Sequence, residues 1–222
     1  MAAQISARRA QLGSDHTPLR VPKGTDLVEW YFEQGWTDGL PVVPPTGERV
    51  AVCIAALGGE PEFLECRVPP RYGGLTREVL AVNMVMAGCK PEYAPVVRAA
   101  MLALTANAFN LNGVQATTHM AGPLLIVNGP VAREIGMNGG VNAFGSGNRA
   151  NATIGRAIRL ILLNVGGGTP GDLDKSTLGH PGKYTYLRRR ERGREPVRAL
   201  PRRKGVRRRR LDRVRHRRRA PA

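Results

Sequence analysis

Apolar positions recur along this chain at helical spacing in five places and cluster in three short runs that fit strands. Thr25-Asp26 caps a first helix, LVEWYFEQG, with Leu27, Trp30, Tyr31 and Phe32 on its apolar face; Gly35 stops it. A second helix is predicted over 47–57, closed by Gly58-Gly59, and 64–68 ahead of Pro69-Pro70 reads as a strand. In 75–87, Leu80, Met84 and Val85 are surrounded by Val79, Val82 and Met86, the pattern of a central helix buried on most sides. Gly88 ends that helix and Pro91 opens the next, in which Val97, Met101, Leu104 and Ala108 share a stripe across 94–108. Two strands are expected after Gly113, in VQATTH and in PLLIVNGP, the second bounded by Pro123 and Asn128-Gly129. A last helix spans 151–165, with Ile154, Ile158, Ile161, Leu162 and Val165 on one face and Arg156 and Arg159 off it, before Gly166 to Gly168 terminate it.

These elements predict one α/β or α+β domain over 25–186, a small central sheet flanked by apolar helices, behind a polar leader at 1–24. The chain has 222 residues, enough for one core and too few for two. Charge then divides it. The net charge is +17, but 18 of the 34 Lys and Arg and only 3 of the 17 Asp and Glu follow Tyr186, so the first 186 residues carry 16 against 14. An arginine-rich tail over 187–222 with no apolar face is expected to be disordered. Taken at face value it would bind nucleic acid non-specifically through phosphates. A second reading starts from the codons. Arginine is mostly CGN, and a GC-rich gene read one base out of frame turns Val, Ala, Asp, Glu and Gly codons into arginine runs. Read from the second base of Leu187, the permitted codons include Cys, Val, Ala, Glu, Asn and Glu. That reading explains the abrupt change after PGKYTY, and we prefer it; it makes the domain truncated at its C-terminal end.

Cys53, Cys66 and Cys89 form an odd set without C-x-x-C spacing, which suits a reducing compartment. No signal-peptide core precedes Pro22 and no 18 apolar residues run together, so a cytoplasmic protein without a membrane partner is expected. Chemistry concentrates in three places. Gly145-Ser146-Gly147-Asn148-Arg149 runs into a helix near Asn151: the glycines admit a ligand, the helix start offers N–H groups, and Arg149 adds a donor fork. The same string reads equally as a tight turn with an asparagine cap. Cys89, in AGCKPEY beside Lys90 and ahead of a helix, reads either as an activated thiolate or as a buried inert thiol. Thr117-Thr118-His119, after Gln115, offers a general base or a lone structural histidine, as does His180. With Asn83 as orienter, Cys89 and His119 would make a nucleophile and base, if the fold brings them together. Cys53 reads as core, Cys66 as undecided, and no metal site is assigned.

The strings GWTDGLPVVPPT, NMVMAGCKPEYAPVV, FNLNGVQATTH, LLIVNGP, NRANATIGRAIRL and PGKYTY resemble, over about 27–186, an uncharacterised bacterial family associated with UGSC-type (seleno)proteins as neighbours or fused domains. The resemblance implies a cysteine and an acidic segment after KYTY, where this chain has none, and chemistry of a redox, organosulfur or soft-metal kind. The resulting expectation is a cysteine-dependent enzyme for a small anionic or thiol-containing substrate. Cys89, His119 and Thr118 would be catalytic, and Ser146, Asn148, Arg149 and Asn151 would bind substrate. The alternatives are a non-catalytic partner subunit of a UGSC-type (seleno)protein, with a homo-oligomer also open, and the nucleic-acid binder. No cofactor is assigned.

Overall fold

The computed structural model describes residue 21 and residues 23–190; the leader apart from residue 21, Pro22 and 191–222 lie outside the described residues. Mixed α/β is the class the chain adopts. The helices are α1 (Leu27–Glu33), α2 (Gly47–Leu57), α3 (Arg77–Ala87), α4 (Ala94–Leu104), α5 (Leu111–Gln115), α6 (Val131–Glu134) and α7 (Arg149–Asn164). The strands are β1 (Leu64–Val68), β2 (Gly73–Thr76), β3 (Leu125–Val127) and β4 (Leu187–Arg189). They form two separate pairs, β1–β2 antiparallel and β3–β4 parallel.

The centre belongs to helices. α3 buries Val79, Leu80, Met84 and Met86, and α7 buries Ile154, Ile158, Leu160 and Ile161 in the same core. Both begin where their sequences can satisfy free N–H groups: Thr76 Oγ1 accepts from Val79 N at 3.2 Å, and Asn148 Oδ1 accepts from Asn151 N at 2.9 Å. Gly88, at φ +83°, closes α3 in the left-handed conformation that glycine adopts freely. Trp36 packs edge-on against Trp30 of α1, which ties that helix to the core.

Four expectations change. The helix expected over 94–108 ends at Leu104, and Ala108 falls in a separate 3-10 turn over Asn107–Phe109. The residues at 73–76 are a strand rather than loop and helix start, so α3 opens at Arg77. VQATTH is not a strand: Asn110, at φ +53°, accepts from Gly113 N and starts α5, and the chain then runs on without regular structure. The domain also extends past Tyr186, because Leu187 is buried and β4 pairs Leu125↔Leu187, Ile126↔Arg188 and Val127↔Arg189. A parallel ladder needs only main-chain groups, so an arginine-rich stretch can supply it whatever its side chains. No helix among the described residues is long and apolar enough to cross a membrane.

Candidate functional site

At the start of α7 part of the expected anion clamp is taken up by the protein's own main chain. Arg149 donates from Nε at 3.1 Å and from a terminal nitrogen at 3.0 Å to one acceptor, the Gly88 carbonyl, and so caps the end of α3. Asn148 caps α7 with its oxygen and donates its amide to Gly136 O at 2.8 Å. Asn151, 5% exposed, accepts from Asn138 N and donates to Asn138 O, Ala143 O and Leu187 O. Ser146 is exposed, and its carbonyl accepts from Asn142. The segment is a knot joining α3, the 138–143 loop, α7 and β4.

Cys89 sits against this knot. Its thiol is buried and donates to Thr153 O at 3.2 Å. Burial pushes its pKa up to about 12, more than the Thr153 bond and the Arg149 charge pull it down. A thiol in that state is protonated at neutral pH and a poor nucleophile. Cys53 is core, as read from sequence, and burial likewise raises its thiol; Cys66 is half-buried.

His119 and Thr118 lie elsewhere. Both side chains are exposed, and among the described residues no recorded contact joins either to Cys89. Their main chain instead holds the 175–177 segment, two residues of which border a separate place: Thr117 O accepts from Lys175 N and Thr118 O from Thr177 N, each at 3.1 Å, and His119 O accepts from the Ser176 hydroxyl at 2.7 Å.

That place is a hollow of about 570 Å³ bordered by Arg159, Asp174, Ser176, His180, Lys183 and Tyr184. α7 supplies two arginines one turn apart, with unlike surroundings. Arg156 forks onto both oxygens of Asp38, at 2.9 and 2.8 Å, and also reaches Leu40 O and Pro41 O, so its charge is matched in a fork. Arg159 has one recorded partner among the described residues, Asp174 Oδ2 at 3.5 Å, although its side chain is only 11% exposed.

Asp174 is held mainly by another cation. Lys183 Nζ lies 2.8 Å from each of its oxygens and also donates to the Ser176 hydroxyl. Burial works to raise the Asp174 carboxyl, but the bonds from Lys183 and Ser176 hold it below the ordinary carboxylate range. Arg159 shows the reverse: burial lowers its pKa more than Asp174 and Asp38 raise it, so its charge is under-compensated. The two directions agree once Lys183 is taken as the main partner of Asp174.

The donor and acceptor inventory defines what the hollow can do. Lys183 has its three N–H directions engaged, and Asp174 accepts from Lys183, Arg159 and Ser176 N. Ser176 donates to a carbonyl and accepts from a cation, so among the described residues no base is placed to take its proton. Among the described residues, Arg159 has Asp174 alone as a recorded partner for its five donors. No group of three or more His, Cys, Asp or Glu among the described residues is arranged to hold a metal ion.

Sequence reasoning placed Arg156 and Arg159 off the apolar face of the helix and singled out His180, but assigned neither Arg159 nor Lys183 a role. Asp174 gave no signal, since a lone Asp in a loop is ordinary until its partners are known. No protein-family model, curated protein or solved structure matches this chain.

Proposed function

We propose that this protein binds a small organic anion, a carboxylate above all, in the hollow beside the last long helix, with Arg159 as its anchor. The observation that carries the reading is an arginine side chain, only 11% exposed, that borders a hollow of about 570 Å³ and has among the described residues one ion-pair contact, at 3.5 Å. A guanidinium presents a planar fork that matches a carboxylate, and in a partly desolvated wall such a pair is stronger than at the surface. Tyr184 and Thr177 supply neutral hydroxyls around the ligand, and Leu163, Pro170 and Pro181 supply apolar wall, which favours a short organic acid over inorganic phosphate. The small anionic substrate expected from the sequence is kept. Its cysteine chemistry is not, since no cysteine is among the residues that line the hollow.

Titration calorimetry with acetate, lactate and succinate, and with acetamide as the neutral control, tests the proposal. The carboxylates should bind and acetamide should not. Arg159→Gln should weaken the best carboxylate about a hundredfold, the scale on which losing a charge-assisted pair registers. Equal binding by Arg159→Gln, or no binding of any carboxylate by the native chain, would sink it.

A further inference from the structure

We propose that His180 is the positioning residue of the Arg159 site: as a neutral imidazole it caps the turn that carries Lys183, and protonation of that imidazole releases Lys183 and closes the site to anions. The inference rests on the function proposed above and adds a means of control.

His180 Nδ1 accepts from Gly182 N at 3.0 Å. An accepting Nδ1 bears no hydrogen, so the neutral ring carries its proton on Nε2. The turn it caps, Pro181–Lys183, is a single one, held otherwise by Lys183 N to His180 O at 2.9 Å and Tyr184 N to Pro181 O at 3.0 Å. The ring is wedged in place. Tyr186 meets it edge-on at 5.7 Å, a Cβ at Gly182 would fall 2.5 Å from its Cε1, and a Cβ at Gly122 would fall 3.0 Å from its Nε2. Both glycines are therefore needed to admit the imidazole.

From this turn Lys183 reaches Asp174 and Ser176. While Lys183 neutralises Asp174, Arg159 remains open to a ligand. An imidazolium carries hydrogen on both nitrogens, and its Nδ1–H would face the Gly182 N–H with no acceptor between them. The cap is then lost and the turn loosens. Asp174, deprived of Lys183, takes Arg159 as its partner and removes the anchor from the ligand.

This sign opposes simple electrostatics. Around His180 the charged groups are Arg159 on α7, Asp174 and Lys183, with Asp38 also lining the hollow; Tyr184 and Tyr186 are the neutral titratable neighbours. Arg156, paired with Asp38, makes three cations to two anions, and a further positive charge from the imidazolium would by itself tighten anion binding. The geometry requires it to weaken.

Two measurements on the full chain decide the matter. Without any ligand, the Gly182 amide resonance should shift between about pH 7.5 and about pH 5.5. In calorimetry, lactate, ionised throughout, should bind about tenfold more weakly at about pH 5.5 than at about pH 7.5, the effect of one lost hydrogen bond. His180→Asn keeps a side-chain acceptor for the cap, so it should retain binding and lose the pH dependence. His180→Leu should bind poorly at both pH values. Lactate binding that is unchanged or tighter at the lower pH overturns the proposal, as does a Gly182 amide that does not move. If no carboxylate binds at any pH, the function proposed above fails, while the Gly182 resonance still decides whether His180 is a protonation-sensitive cap.

Discussion

The turn that opens α7 and the loop that faces the middle of the same helix are both rich in glycine and both hold a basic side chain. They differ in what their polar groups have left to offer. Around Arg149 and Asn151 the recorded side-chain bonds end on main chain, including carbonyls of 88, 136, 138, 143 and 187, and the result is a brace. Around Arg159, cations and anions meet one another, and Lys183 outcompetes Arg159 for Asp174. A donor bound to a local carbonyl is silent to ligands; a donor displaced from its partner by a better one is not.

Thiol chemistry gives the sharpest way to break this comparison. With its pKa pushed up to about 12, Cys89 should react with iodoacetamide about a thousandfold more slowly in the native protein than an ordinary thiol. Mass spectrometry after timed quenching should find Cys66, which is half-buried, modified before Cys53 and Cys89. Rapid native-state labelling of Cys89 would return chemistry to the brace.

Asn151→Ala removes a buried amide that makes four polar contacts, three of them shared by its two N–H groups, and should lower the unfolding free energy by about 3 kcal/mol in urea. The loss should come with little change in carboxylate affinity for the folded fraction. A change in affinity larger than the change in stability would mean that brace and hollow are one site.

Acid should act through the other region and through the β1 hairpin. Asp174 is held low by Lys183 and Ser176 against the upward pull of burial. Glu65, its side chain 1% exposed, is held low by Arg77 at 2.7 Å and Arg98 at 2.8 Å against the same pull. Carboxylates held below their ordinary values contribute stability that is complete above about pH 4.5 and is lost as the pH falls through the depressed values. The urea midpoint should therefore drop progressively below about pH 4, and Glu65→Gln should remove part of that slope. A midpoint flat into strong acid would remove these pairs from the account.

The smallest expected effect is at the helix cap. Asn148→Ala should cost about 1 kcal/mol, and Asn148→Asp should restore most of it, because an aspartate also accepts from the first-turn N–H groups. Failure of the aspartate to rescue would show that the Asn148 amide bond to Gly136 O matters more than the cap.

Local spacing was enough for what depends on neighbours in the chain. α2 over Gly47–Leu57, β1 over Leu64–Val68, the stop at Gly88 and most of α7 follow from periodicity and caps, which the sequence displays directly. The parallel partner of β3 was not legible, because β4 is recruited through main-chain groups by residues whose composition argues against a folded segment. Nor was the candidate site. Arg156 and Arg159 are one turn apart on one helix and equivalent by any local rule. They part company because Asp38, 118 residues away from Arg156, seats the first in a fork, while Lys183 takes the acceptors that the second would have used. Whether a charge is satisfied depends on groups that only folding brings together, and so the tertiary structure alone decided which arginine was seated in a fork and which was left with one weaker contact among the described residues.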